Sequence, residues 1–167
     1  MNADTLNEDN LEKAVARLLF KHDSTVAVAE SCTGGLLSSR LTDIPGSSNY
    51  FLLGLICYSN EAKIELLKVP ENTINTTGAV SEETAMVMAH NIRSLFSADF
   101  ALSTTGYAGP GDAMEPVGLV YVGLAAPEGT FCQRFNFPGD RKSIKKQASN
   151  SALNMFRLYL EALPGGS

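Results

Sequence analysis

The sequence predicts an α/β protein: a three-layer α/β/α sandwich on a mixed, mostly parallel sheet. Three observations predict it. Short apolar runs at 25–29 and 51–58 have the character of strands covered on both faces, and a third strand is read at 99–104. Segments with helical spacing separate them, the alternation expected of a parallel sheet. The first two runs each end in a polar turn that leads into a helix, the place where open α/β sheets bind ligands.

Taken in order, Leu11, Val15, Leu18 and Leu19 fall on one helical face that ends near His22, which reads as a solvated helix end. The first strand, at 25–29, stops at Glu30-Ser31-Cys32-Thr33-Gly34-Gly35, and helical spacing resumes at Leu36. Asp43-Ile44-Pro45-Gly46-Ser47-Ser48 then breaks the helix. The second strand, at 51–58, runs into Asn60-Glu61-Ala62-Lys63 and a helix that turns Ile64 and Leu67 inward. Residues 70–80 read as an irregular connection.

Ser81 followed by Glu82 and Glu83 caps a strong helix whose apolar face is Ala85, Met88, Ala89, Ile92, Leu95 and Phe96. His90 lies off that stripe and reads as exposed. The third strand enters a loop with three glycines at 106–111. Val117, Leu119 and Tyr121, then a turn at Pro127-Glu128-Gly129 and Phe131, Phe135 and Phe137, read as an antiparallel hairpin at one side of the sheet. The last helix opens at 139–143 and faces Ile144, Ala148, Met155 and Leu158 inward. Arg141, Lys142, Lys145 and Lys146 crowd its start, either as a solvated basic face or as an anion site.

With 167 residues, a single domain over 1–167 is expected, with disordered tails at 1–8 and 164–167. Hydrophobic content of 44% and charged content of 19% are those of a globular protein, and no apolar run approaches the ~20 residues of a membrane span. The polar N-terminus does not read as a signal peptide, so a cytoplasmic location and no membrane partner are expected. A net charge of −5 argues against nucleic-acid binding. Cys32, Cys57 and Cys132 lack metal-ligand spacing and read as reduced, mostly core cysteines.

The turn after the first strand is the active-site candidate. A hydroxyl there lies beside the free N–H groups of a helix start, so Ser31 can act as a nucleophile with oxyanion donors at hand. The plainer reading is that Ser31 or Thr33 caps the helix. Cys32 competes with Ser31 as nucleophile, and chain geometry does not separate them. Neither His22 nor His90 sits on a promising turn, so a Ser-His-Asp triad is not expected. Lys63, on the second polar turn, is the best candidate base if burial leaves its amine neutral; alone it also reads as an exposed structural lysine.

Several motifs occur together and in order: Ala29-Glu30-Ser31-Cys32-Thr33-Gly34-Gly35, Pro45-Gly46-Ser47-Ser48, Tyr58-Ser59-Asn60-Glu61-Ala62-Lys63, Gly78-Ala79-Val80-Ser81-Glu82, Thr105-Gly106 with Ala108-Gly109-Pro110-Gly111, Pro116-Val117-Gly118, and Pro138-Gly139-Asp140-Arg141. In these the chain closely resembles the CinA C-terminal domain family, bacterial nicotinamide mononucleotide amidohydrolases, over nearly its whole length. Larger members carry a further N-terminal domain that these 167 residues lack. The resemblance implies hydrolysis of nicotinamide mononucleotide to nicotinate mononucleotide and ammonia by a Ser-Lys mechanism, in a homo-oligomer, with no cofactor and no metal. It implies Ser31 as nucleophile, Lys63 as base and Tyr58 as a neighbouring hydrogen-bonding group. Thr33, Gly34, Ser48, Asn60, Thr105, Gly106 and Arg141 are the implied substrate-binding residues, Arg141 for the phosphate.

The chain departs from the family where Tyr107 replaces the usual Ile, and where Asp112-Ala113-Met114-Glu115 is shorter and acidic in place of a lysine-bearing loop. Those departures motivate two alternatives: a catalytically inactive paralogue that binds a pyridine nucleotide or other phosphorylated ligand, and an amidase with another substrate.

Overall fold

The computed structural model describes residues 10–111 and 114–164. The expected tails, apart from Pro164, and Asp112 with Ala113 lie outside the described residues.

Five strands form one mixed sheet in the order β2-β1-β3-β4-β5: β1 Val26–Glu30, β2 Phe51–Ile56, β3 Phe100–Gly106, β4 Leu119–Ala126 and β5 Gly129–Asn136. β1 pairs in parallel with β2 and β3, and β4 runs antiparallel to both β3 and β5. Four strands therefore point one way and β4 alone is reversed. The helices are α1 Leu11–His22, α2 Leu36–Thr42, α3 Asn60–Glu65, α4 Glu71–Thr77, α5 Glu82–Leu95 and α6 Arg141–Ala162.

Strand alternation sorts the core into two layers. In β1, Val26 and Val28 face a cluster with Leu19, Leu37, Leu41, Ile144 and Phe156, which belongs to α1, α2 and α6. Ala27 and Ala29 face the other cluster, with Ile74, Met88, Ala89 and Ile92 of α4 and α5. Branched side chains on one face and methyls on the other let α5 approach the sheet closely, giving three layers. Each fully buried aliphatic side chain contributes roughly 1.5–3 kcal/mol, so both layers are needed to hold the sheet.

Four expectations fail. Residues 71–77 form α4 rather than an irregular connection; Pro70 precedes its first turn, and Ile74 is its one buried residue. β2 is the sheet edge rather than a fully buried strand, and its residues alternate between half-buried and exposed. Leu95 and Phe96 at the end of α5, and Leu158 on α6, are about half exposed, since the helices outrun the sheet beneath them or turn away from it. His22 is half-buried rather than solvated, with Nε2 enclosed and unpartnered among the described residues.

Candidate active site

The carboxyl ends of β1, β2 and β3 are laced together. Ser31 donates its N–H to Thr104 O at 2.9 Å, and Cys57 donates to Glu30 O at 2.8 Å. Parallel register places Glu30 beside both Ile56 and Thr104, so the turns that leave β1 and β2 meet. Ser31 on the first and Lys63 on α3 come together there: Nζ of Lys63 lies 3.0 Å from Oγ of Ser31 and donates to Tyr58 O at 3.1 Å.

Ser59 caps α3 by accepting the N–H of Ala62, which fixes the helix turn that carries Lys63. Lys63 is only 2% exposed, and among the described residues it forms no ion pair with a carboxylate. Burial lowers its pKa from the ordinary lysine range, with Cys57 and Cys32 opposing less strongly. An ammonium held out of water without a counter-ion loses several kcal/mol of hydration, and shedding the proton removes that penalty. When the amine is neutral, with one N–H on Tyr58 O, its lone pair can take the Ser31 proton.

The competing nucleophile is disfavoured. The Cys32 thiol is buried and its pKa is pushed up to about 12, chiefly by loss of solvation, so it carries a proton at neutral pH. Both residues line the cavity, Ser31 at 7% and Cys32 at 5% exposure, but it is Ser31 Oγ that the Lys63 amine reaches.

The cap of α2 is neither Ser31 nor Thr33. Gly35 occupies the cap position in the left-handed region, at φ 97°, and the side chain of Glu30 does the capping. This fully buried carboxylate accepts five hydrogen bonds. One oxygen takes Thr33 Oγ1 at 2.6 Å, Gly35 N at 3.0 Å and Leu37 N at 3.1 Å; the other takes Ser38 N at 2.8 Å and Ser38 Oγ at 2.6 Å. The expected oxyanion donors at the helix start are therefore already occupied. Any such donors must come from the turn itself, where Cys32 and Thr33 follow the nucleophile.

A cavity of about 280 Å³ opens over Ser31 and Lys63, walled by Tyr58, Asn60, Thr105, Gly106, Tyr107, Glu115 and Arg141 among others. Arg141 crosses its rim, donating to the Tyr58 hydroxyl and to Gly109 O, each at 2.6 Å. The buried Thr105 hydroxyl donates to Ala79 O at 2.7 Å, fixing the backbone before α5 as another wall. Gly106 is required where it stands, because a side chain would meet Leu119 O at 2.6 Å.

Of the ten site residues read from the sequence, Ser31, Lys63, Tyr58, Asn60, Thr105, Gly106 and Arg141 meet at this cavity, whereas Thr33, Gly34 and Ser48 do not line it. The Thr33 hydroxyl is fully buried, bonded to Glu30 and to Thr104 Oγ1 at 2.6 Å. Gly34 lies further round the turn, near Lys145. Ser48 is in a 3-10 turn just before β2, at the opposite end of the sheet. Sequence reasoning missed Glu30 as a cap, and it named Glu115 as part of an acidic loop beside the substrate rather than among the site residues. A carboxylate directly before a serine-threonine-glycine turn is a signal for the first; the second depends on how the loop folds.

Among the described residues no helix is long and apolar enough to cross a membrane, and no group of three or more His, Cys, Asp or Glu side chains is placed to hold a metal ion.

Fold and site together define a three-layer α/β protein with a buried serine–lysine pair at the carboxyl edge of its sheet. The family model for the CinA C-terminal domain matches residues 8–160, and the chain belongs to that family. It is 48% identical over 159 residues to a CinA-like protein of Syntrophus aciditrophicus, covering 93% of this chain and 38% of that protein. The first curated relatives it matches are likewise longer, and the chain spans 38% of their length. Among solved structures, competence damage-inducible protein A of Klebsiella pneumoniae matches with a TM-score of 0.90 at 32% identity, over 95% of this chain and 99% of that one. The competence/damage inducible protein CihA of Agrobacterium tumefaciens matches with a TM-score of 0.84 at 37% identity, over 91% and 96%.

Proposed function

We propose that this chain is an amidohydrolase that converts nicotinamide mononucleotide to nicotinate mononucleotide and ammonia. The observation that carries the reading is the 3.0 Å approach of a buried lysine amine, without a carboxylate partner, to a serine hydroxyl at the floor of a cavity. Perturbed titratable groups in a cleft, within hydrogen-bond reach of a nucleophile, are the mark of covalent catalysis.

In this mechanism the neutral Lys63 amine takes the Ser31 proton as Oγ bonds to the carboxamide carbon. The carbonyl electron pair moves onto oxygen, beside the N–H groups of the 32–33 turn. As the tetrahedral centre collapses, the C–N bond breaks and the Lys63 ammonium returns its proton to the leaving nitrogen, which departs as ammonia. A nicotinoyl ester of Ser31 remains. Water then adds to that ester with Lys63 again as base, and Ser31 leaves with the proton. Arg141 at the rim is the group for the phosphate, where a guanidinium offers paired donors. Tyr58 orients Arg141 through its hydroxyl and holds Lys63 through its carbonyl. The location expected for this chemistry is the cytoplasm, and the assembly a homo-oligomer.

The test is ammonia release from nicotinamide mononucleotide by purified protein. Release that vanishes in Ser31→Ala supports the reading; release no greater than that variant's overturns it. A second reading, a holder of pyridine nucleotides or other phosphorylated ligands without turnover, is favoured by Glu115 in the cavity wall, where a carboxylate opposes a phosphate. Binding of the mononucleotide without ammonia release would select it.

A further inference from the structure

The cavity wall carries two opposite charges that do not neutralise each other. Arg141 directs its guanidinium to Tyr58 and Gly109, and forms no ion pair with Glu115 among the described residues. The Glu115 carboxylate packs over Gly111, where an added Cβ would meet Oε2 and displace it. Tyr107 lines the same cavity. A carboxylate and an aromatic side chain lining one cavity suit a delocalised organic cation, by charge attraction and by the ring quadrupole. A guanidinium suits an anion. In about 280 Å³, one small ligand reaches both.

We infer that Glu115 and Tyr107 are specificity-determining residues for a cationic ring, so that the site takes N-substituted pyridinium carboxamides bearing a phosphate in preference to neutral aromatic carboxamides of the same shape. The inference rests on the amidohydrolase reading for the position of the carboxamide. A neutral ring forfeits both attractions and still strips water from the carboxylate. The charged loop that opposes a phosphate thus acts on the other end of a dipolar substrate.

The experiment is calorimetric binding at low ionic strength of two probes: nicotinamide mononucleotide, and its neutral isostere in which a carbon–carbon bond joins ribose phosphate to benzamide. An exposed carboxylate and one cation–π contact are each worth about 0.7 kcal/mol, which together is about a tenfold preference for the cation. Glu115→Gln is expected to cut that preference to about threefold, with an unchanged urea midpoint showing that the fold is intact. Tyr107→Ile and Gly111→Ala, the latter displacing the carboxylate, are expected to move it the same way. Salt weakens the preference in the wild type. Equal binding of both probes, or a preference undiminished in Glu115→Gln, overturns the inference and leaves the amidohydrolase reading standing. Binding of neither probe removes the nucleotide reading itself, and this inference with it.

Discussion

Glu30 and Lys63 close two neighbouring strand ends, and both are almost wholly out of water, at 0% and 2% exposure. They are treated oppositely. The carboxylate accepts five hydrogen bonds, three of them from the start of α2, where the helix dipole also favours an anion. The amine has a carbonyl, a serine hydroxyl and, among the described residues, no counter-ion. A buried charge that is fully satisfied holds architecture in place. One that is left unsatisfied gives up its charge, and in doing so becomes a base. The contrast separates the residue that builds the Ser31 turn from the residue proposed to act in it.

The comparison is broken most severely at Lys63. Lys63→Met keeps the packing and removes the base, so ammonia release from nicotinamide mononucleotide should fall about a thousandfold, within the range for loss of general-base catalysis. Stability should move the other way. The native state binds fewer protons than the unfolded chain between the depressed pKa of Lys63 and the ordinary lysine value of about 10.4, so wild-type stability climbs with pH across that window. The penalty is complete below the depressed value and gone above the ordinary one. Lys63→Met should therefore be more stable at neutral pH, by on the order of 1 kcal/mol, with the advantage fading towards pH 10 and above in urea titrations.

Glu30→Gln is next in size. The amide presents N–H groups to donors that now meet an oxygen, so it should destabilise the fold by about 3 kcal/mol, read as a lowered urea midpoint with unchanged slope. Activity should fall with it, because the turn that carries Ser31 loses its anchor. The smallest effect is at Thr33→Val, which keeps the shape but removes the hydroxyl shared by Glu30 and Thr104. A loss of about 1–2 kcal/mol is expected, with KM unchanged, since Thr33 does not reach the cavity.

Much of this was legible in the sequence, and the failures have physical causes. Hydrophobic periodicity located the strands and long helices, and the polar turns after β1 and β2 marked the two residues that meet. The edge position of β2 was not legible, because Phe51-Leu52-Leu53-Gly54-Leu55-Ile56 is equally apolar whether the strand lies inside the sheet or at its edge. The helix α4 was hidden in β-branched Thr and Ile residues of weak helix propensity, which tertiary packing of Ile74 overrides. At the site, local rules assigned the α2 cap to a hydroxyl, whereas a carboxylate folded back from the strand takes that place. Ser48 came from motif resemblance alone, and chain direction puts it at the other end of β2.

The central claim is that Lys63 is an uncharged amine in the folded protein at neutral pH. Nuclear magnetic resonance titration of labelled lysine side chains, with the Lys63 signal assigned by its loss in Lys63→Met, measures this directly. A midpoint clearly below those of the exposed lysines is the predicted result. A midpoint at or above theirs would mean that the amine beside Ser31 stays protonated, and it would contradict the account.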